Sequence, residues 1–276
     1  MVMNPVRVLL AAALVTSIAS AANATTINYS DFSSVAGLTL NGDAAQAGSV
    51  LRVVPSADTQ AGTAYSSTAV PLNASTSFST SFEFLVTTDP SSGLGVPDGF
   101  AFLLQRDAAG AHALGAGGQG LGYVGLSPSV AVVFRGRGPS FIGVITGGTD
   151  PANLSNPFDP PGSTSFGTDG AFYEQNEFAW IDYDAGTHLL DVYLSTTSVK
   201  PGAAVMEASL DLFGELNSHA HVGFSAGNGG AFGSQDILNW SFTSDAVTVP
   251  EPSSLALFGA GLLSLFGFAM LRKRAA

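Results

Sequence analysis

Between Ser77 and Gln105 the chain reads SFSTSFEFLVTTDPSSGLGVPDGFAFLLQ. Phe78, Thr80, Phe82, Phe84 and Val86 fall on even positions, and Ser79, Ser81, Glu83 and Thr87 on odd ones. Successive side chains of a strand point to opposite faces, so this spacing predicts a strand with one buried apolar face and one wet face. A loop rich in Pro and Gly follows, then Phe100–Leu104, apolar on both faces, which predicts an inner strand covered on both sides. Asp98 and Gly99 stand at the mouth of that strand. An acidic side chain held where an irregular loop meets a rigid strand is a natural binding group.

The same grammar of short apolar runs and turn residues continues along the chain. Predicted strands cover Ile27–Phe32, Leu38–Leu40, Val50–Val54, Gly62–Ser66, Val70–Leu72, Ser129–Phe134 and Phe141–Ile145. Asn41-Gly42 reads as a turn that stops the second of these. Phe178–Asp184 and Leu189–Leu194 flank Asp184–Thr187 as a hairpin, and Glu207–Leu212, His221–Ser225 and Asp236–Phe242 close the series. Phe213–Leu216 reads as one helical turn, and a long loop spans Thr146 to about Asn176. With 33 Gly, 14 Pro and no sustained helical periodicity before the tail, the chain is predicted to be an all-β sandwich.

Both ends read as processing signals. Residues 1–24 combine Arg7, a short apolar run and Ala22-Asn-Ala24, the pattern of a secretory signal peptide. Residues 249–276 combine Pro250-Glu251-Pro252, an uncharged span over 253–271 and the basic cluster Arg272-Lys-Arg274. That span is long enough to cross a bilayer with its basic end cytoplasmic. The tail resembles the PEP-CTERM sorting signal of Gram-negative bacteria. The resemblance implies transient insertion in the inner membrane, cutting by an exosortase near Pro250–Pro252, and release to the cell surface or exterior.

Residues 25–248 then form one domain. The chain has nine Lys and Arg against 21 Asp and Glu; four of the basic residues and Glu251 lie in the terminal signals. The domain therefore holds five cations against 20 acids, a net charge near −15. Such a charge argues against nucleic acid as a partner. No cysteine is present, so no disulfide contributes on an export route.

Eight segments, in order, carry a resemblance to the legume-type (L-type) lectins: Leu38–Asp43, Val50–Arg52, Ser77–Phe82, Asp98–Phe102, Val130–Val132, Ala179–Asp184, Val222–Ala226 and Asp236–Phe242. The family implies a concanavalin A-like jelly roll of two antiparallel sheets, with sugar bound by loops at one end beside a calcium and a transition metal. By resemblance the sugar-binding Asp is Asp98 and the backbone Gly is Gly118. The variable loop is Gly227–Gly233, bringing Asn228, Gly229 and Phe232 to the site. The expected partner is an extracellular polysaccharide, and a structural matrix role without sugar binding is the alternative.

The metal loop departs from the family. Val133 and Arg135 stand where two acidic ligands are expected, the loop is short at Gly136–Ser140, and Phe141 replaces a His. None of these supplies the oxygen or imidazole ligands such ions take, so no metal is expected at the family's position. Arg135 is read either as a fixed charge pairing with Asp98 or as a solvated strand-end residue. Asp150, Asn153, Asn156 and Asp159 offer oxygens for calcium but lack the spacing of a known cation loop.

Other motifs lose their context. Gly223–Gly227 matches G-x-S-x-G without the helix a nucleophile elbow needs. Gly115–Gly120 matches G-x-G-x-x-G without a preceding strand and following helix. A glycosidase needs two carboxylates facing across the scissile bond. Asp182 with Asp184, and Glu174 with Glu177, read instead as solvated groups near loops. His112, His188, His219 and His221 read as ordinary surface or half-buried residues. No enzyme chemistry is expected.

Overall fold

The computed structural model describes residues 24–138, 140–150 and 163–245. Residues 1–23 of the signal segment, Pro250, Glu251 and Pro252, the 253–271 span, and Asn153, Asn156 and Asp159 lie outside the described residues. The strands are β1 (Thr26–Tyr29), β2 (Leu38–Gly42), β3 (Ala45–Ala47), β4 (Val50–Val54), β5 (Gln60–Ser66), β6 (Val70–Pro71), β7 (Phe78–Val86) and β8 (Gly99–Gln105). They continue as β9 (Ser129–Arg135), β10 (Phe141–Thr146), β11 (Thr164–Ser165), β12 (Glu177–Asp184), β13 (Leu189–Ser195), β14 (Met206–Ser209), β15 (His219–Asn228) and β16 (Gln235–Ser244). One short helix, α1 (Leu212–Leu216), is capped by Asp211, whose carboxylate accepts from the Gly214 N–H.

Two sheets form. The first runs β14-β13-β12-β7-β16-β4-β3 with β1 beside β16, and the second runs β11-β10-β9-β8-β15-β5-β2 with β6 beside β15. Strands far apart in sequence become neighbours in antiparallel ladders, as β16 with β7 and β15 with β8. This is the sandwich that the alternation predicts.

The even face of β7 meets the inner face of the second sheet. The Phe82 ring lies 5.0 Å from Phe224, 5.8 Å from Phe134 and 6.1 Å from Phe102. Phe100 and Phe134 stack at 4.9 Å, and Trp240 meets Phe224 at 5.1 Å. The polar member of that face is satisfied. Thr80 Oγ1 accepts from the Trp240 indole N–H at 2.9 Å and donates to the Ser241 carbonyl at 2.8 Å. The other face of β8 and β9 is also covered, because Ala101, Leu103, Ala131 and Val133 pack beneath Ala113, Leu121, Tyr123 and Leu126. Two apolar layers, one on each side of the second sheet, explain why Phe100–Leu104 is apolar throughout.

Two local expectations change. Asn41-Gly42 does not stop β2, which runs through Gly42 opposite Gly62; the turn comes one residue later, as the chain crosses to β3 in the other sheet. Gly42 has φ +61°, and a Cβ there would lie 2.2 Å from the Ala61 carbonyl oxygen, so glycine serves a close approach. The long loop after Thr146 is pinned in its second half by Phe172 and Tyr173, both buried in the core. A chain segment without strand periodicity can still be anchored by two aromatic side chains.

Phe82→Ala should destabilise the domain by about 3–5 kcal/mol, whereas Ser79→Ala, exposed on the same strand, should change stability by no more than about 0.5 kcal/mol. Equilibrium urea unfolding followed by tryptophan fluorescence measures both.

Candidate functional site

Asp98 is the last residue before β8, and its place is set by backbone. Gly99 pairs with Arg135 of β9 on one side and Gly227 of β15 on the other. At Gly99 φ is +129°, and a Cβ would fall 2.2 Å from the Phe134 carbonyl oxygen, so only glycine fits. The Asp98 carbonyl accepts from the Gly136 N–H at 3.0 Å. Its side chain is left 6% exposed, with Oδ2 accepting from the Gly229 N–H at 3.2 Å.

Gly118 joins them. It opens a single 3₁₀ turn, Gly118–Gly120, with φ +56°. A Cβ at Gly118 would lie 3.7 Å from the Gly229 Cα and 3.9 Å from Asp98 Oδ2. Gly227 packs closer still, where a Cβ would be 2.6 Å from the Gly118 carbonyl oxygen. Three of the predicted residues, Asp98, Gly118 and Gly229, therefore converge from three chain segments.

The other two sit differently. Asn228 is fully buried: its amide nitrogen donates to the Pro55 carbonyl at 2.8 Å and the Gly233 carbonyl at 2.9 Å, and its Oδ1 accepts from Gln235 at 3.1 Å. The side chain braces the loop: both amide protons are used and full burial keeps its oxygen from a ligand. Phe232 is half-buried and its carbonyl accepts from the Asp89 N–H at 2.9 Å, which ties the loop to the connection between β7 and β8. Leu94, 57% exposed, reaches the same loop, since a Cβ on Gly230 would lie 2.9 Å from its Cδ1.

The electrostatics are unusual. Burial pushes the Asp98 carboxyl above the ordinary range, and the charges of Arg135 and Arg137 and the Gly229 N–H pull it partly back. Arg135 fits neither expectation. It is 9% exposed, so it is not solvated, and no carboxylate lies within ion-pair distance of it among the described residues. Its Nε donates to the Arg137 carbonyl at 3.0 Å, and its Nη1 is buried without a partner. Tyr173 completes the knot. A Cβ on Gly136 would lie 2.0 Å from the Tyr173 ring, and the tyrosine hydroxyl is also buried without a partner. Sequence reasoning missed Tyr173, which comes from the unpatterned loop; no local signal marks it.

The residues at the family's metal positions do not fit a metal. Val133 and Phe141 are fully buried in the apolar layer beneath Leu121 and Tyr123, and Arg135 is cationic. Among the described residues no cluster of His, Cys, Asp or Glu has ligand geometry. Asp150 is near Gln119, 3.4 Å from its amide.

The remaining carboxylates are dispersed. Asp182 lies on the outer face of the first sheet in an ion pair with Lys200, which also sits 4.0 Å over the Tyr193 ring. Glu177, expected to be solvated, is 4% exposed: it takes an inward position at the start of β12 and accepts from Gln175 at 2.7 Å. Burial raises its pKa. His221 Nδ1 meets the Ser66 carbonyl at 2.7 Å, a satisfied half-buried histidine.

Comparison with known proteins gives a consistent result. The legume lectin domain matches residues 24–131 and 167–256, and the PEP-CTERM protein-sorting motif matches 248–274. Anti-H(O) lectin 1 of Cytisophyllum sessilifolium is 33% identical over 187 residues, covering 63% of this chain and 72% of that lectin. The L-type lectin-domain containing receptor kinase S.6 of Arabidopsis thaliana is 31% identical over 191 residues, covering 65% of this chain. The match spans about a quarter of that kinase (26%). The structure of basic winged bean lectin with Tn-antigen superposes with a TM-score of 0.65 at 25% identity, covering 81% of this chain and 99% of the lectin.

Two stability measurements follow. Melting in calcium and in EDTA should give the same Tm, since Val133, Arg135 and Phe141 give a metal nothing to couple to folding; a rise of several degrees with calcium would mean a cation site elsewhere. For Asp98, a folded pKa above the unfolded one means that its contribution is favourable at low pH and is lost as pH rises through the folded pKa. Asp98→Asn should therefore melt higher than the parent at pH 7, with the gap closing as pH falls through the carboxylate range.

Proposed function

The chain belongs to the legume lectin family and ends in a PEP-CTERM sorting motif, and from these we propose that it is an exported carbohydrate-binding protein of the bacterial surface or exopolysaccharide matrix. The observation that carries the reading is the convergence of Asp98, Gly118 and Gly229 at one loop end of the sandwich. The carboxylate accepts from sugar hydroxyls, and charge-assisted bonds of this kind are stronger than neutral ones. Positive-φ glycine at Gly118 lets a ligand approach the backbone closely. Leu94 and the half-buried Phe232 give the neighbouring loop apolar surface of the kind that packs on a sugar face.

The family is one of binding domains, not enzymes. Nor do the carboxylates form a hydrolytic pair, with Asp182 engaged by Lys200 and Glu177 by Gln175. Export is the role of the sorting motif. We read residues 1–24 as its leader and the 253–271 span as a transient inner-membrane anchor, removed when an exosortase cuts near Pro250–Pro252. Binding without a metal is part of the proposal: the fixed charges of Arg135 and Arg137 stand beside Asp98 where the family pattern has metal ligands. A second reading, a matrix protein that keeps the sandwich without binding sugar, is favoured by the substituted positions Val133, Arg135 and Phe141.

A glycan-array screen in calcium and in EDTA separates the two readings: binding in both buffers supports the first, and no binding in either supports the second. For any glycan captured, Asp98→Asn should weaken affinity about tenfold or more by titration calorimetry, with circular dichroism unchanged. Unchanged affinity would move the site away from Asp98. Mass spectrometry of exported protein should find termini near Thr25 and Pro250, and extracellular peptides ending at Ala276 would overturn the processing scheme.

A further inference from the structure

The domain's five basic side chains divide into two groups. Three are engaged away from the site. Arg52 grips Asp236 through two bonds of 2.8 and 2.7 Å, Arg106 donates to the Leu216 carbonyl at 2.7 Å, and Lys200 pairs with Asp182. The other two, Arg135 and Arg137, lie at the end of β9 and in the short connection to β10, and neither has a carboxylate within ion-pair distance among the described residues. They are the cations whose charge reaches Asp98. Asp98 does not form an ion pair with them, and its Oδ2 faces the Gly229 N–H.

A buried guanidinium without an anion carries an unmet desolvation cost. Arg135 is nine-tenths buried, its Nη1 has no partner, and its one hydrogen bond goes to a backbone carbonyl. Arg137, half-buried, follows it on the same connection. Guanidinium groups are matched best by a carboxylate, which takes two parallel N–H bonds. On the reading that the Asp98 end binds glycan, we propose that its ligand is an acidic one, a uronate-type polysaccharide whose carboxylate pairs with the half-buried Arg137, with the enclosed charge of Arg135 behind it, while Asp98 holds a hydroxyl. The net charge near −15 works against a polyanion at long range. At physiological salt, exposed charges more than about 8 Å away are largely screened, so the local arginine pair decides affinity.

The test compares an oligogalacturonate with its carboxyl-reduced counterpart, in which each carboxylate has become a hydroxymethyl group, by titration calorimetry on the exported protein. The acidic form should bind about tenfold tighter or more, the difference expected between charge-assisted and neutral hydrogen bonds. Arg137→Gln should abolish that preference and Arg137→Lys should keep part of it. The backbone carbonyl that receives Arg135 survives both changes, and circular dichroism checks the fold. Equal or tighter binding of the reduced form overturns the acidic preference and leaves glycan binding standing. Capture of neutral glycans alone on the array does the same. No binding to any glycan, acidic or neutral, overturns both. A preference that persists in Arg137→Gln places the carboxylate elsewhere and overturns the assignment to this pair.

Discussion

At Gly99 the backbones of β8 and β9 come so close that a Cβ would lie 2.2 Å from the Phe134 carbonyl oxygen. Everything at the candidate site depends on that approach. It puts Asp98 between the end of β9 and the loop after β15, with its own carbonyl held by Gly136 and its carboxylate facing Gly229. Glycine at 136, 227 and 229 extends the same constraint outward, because each stands where a neighbour leaves little or no free space, and Gly118 adds a positive φ of +56°. Rigidity here comes from backbone packed on backbone. Such a site is pre-organised by folding, so a ligand bears little of the ordering cost.

The buried carboxylate has its own cost. Burial raises the Asp98 pKa, and the two nearby guanidinium charges moderate the rise. Where the family pattern places metal ligands, this chain has two apolar side chains that complete the outer hydrophobic layer and one arginine that stays buried beside Asp98. The substitutions act together. Val133 and Phe141 give packing to the loop over β8 and β9, and Arg135 gives positive charge to the site. Packing and a fixed charge therefore occupy this end of the sandwich at those positions.

Much of the sandwich was legible in the chain. The alternation over Phe78–Val86 identified the buried face of β7, and the apolar run Phe100–Leu104 identified a strand covered on both sides. Both signals are local, because side-chain period is a property of a strand by itself. The convergence of Asp98, Gly118 and Gly229 followed from family resemblance and not from pattern, since the three are brought together by ladders between segments far apart in sequence. The misses share that cause. Arg135 ends an apolar strand and reads as either paired with Asp98 or solvated, yet Tyr173, 38 residues on, folds over its neighbour Gly136. Glu177 reads as a loop carboxylate, yet the strand begins one residue early and turns it inward. Asn228 reads as a ligand group, yet its amide is consumed by Pro55, Gly233 and Gln235.

The central claim is that a metal-free site centred on Asp98 binds glycan. Two-dimensional amide NMR of the domain in EDTA, titrated with a captured glycan, addresses it directly. The account predicts the largest shift changes at the amides of Gly118 and Gly229, with the outer face of the first sheet around Asp182 and Tyr193 undisturbed. Shifts confined to that outer face, or shifts that arise only after calcium is added, would contradict it.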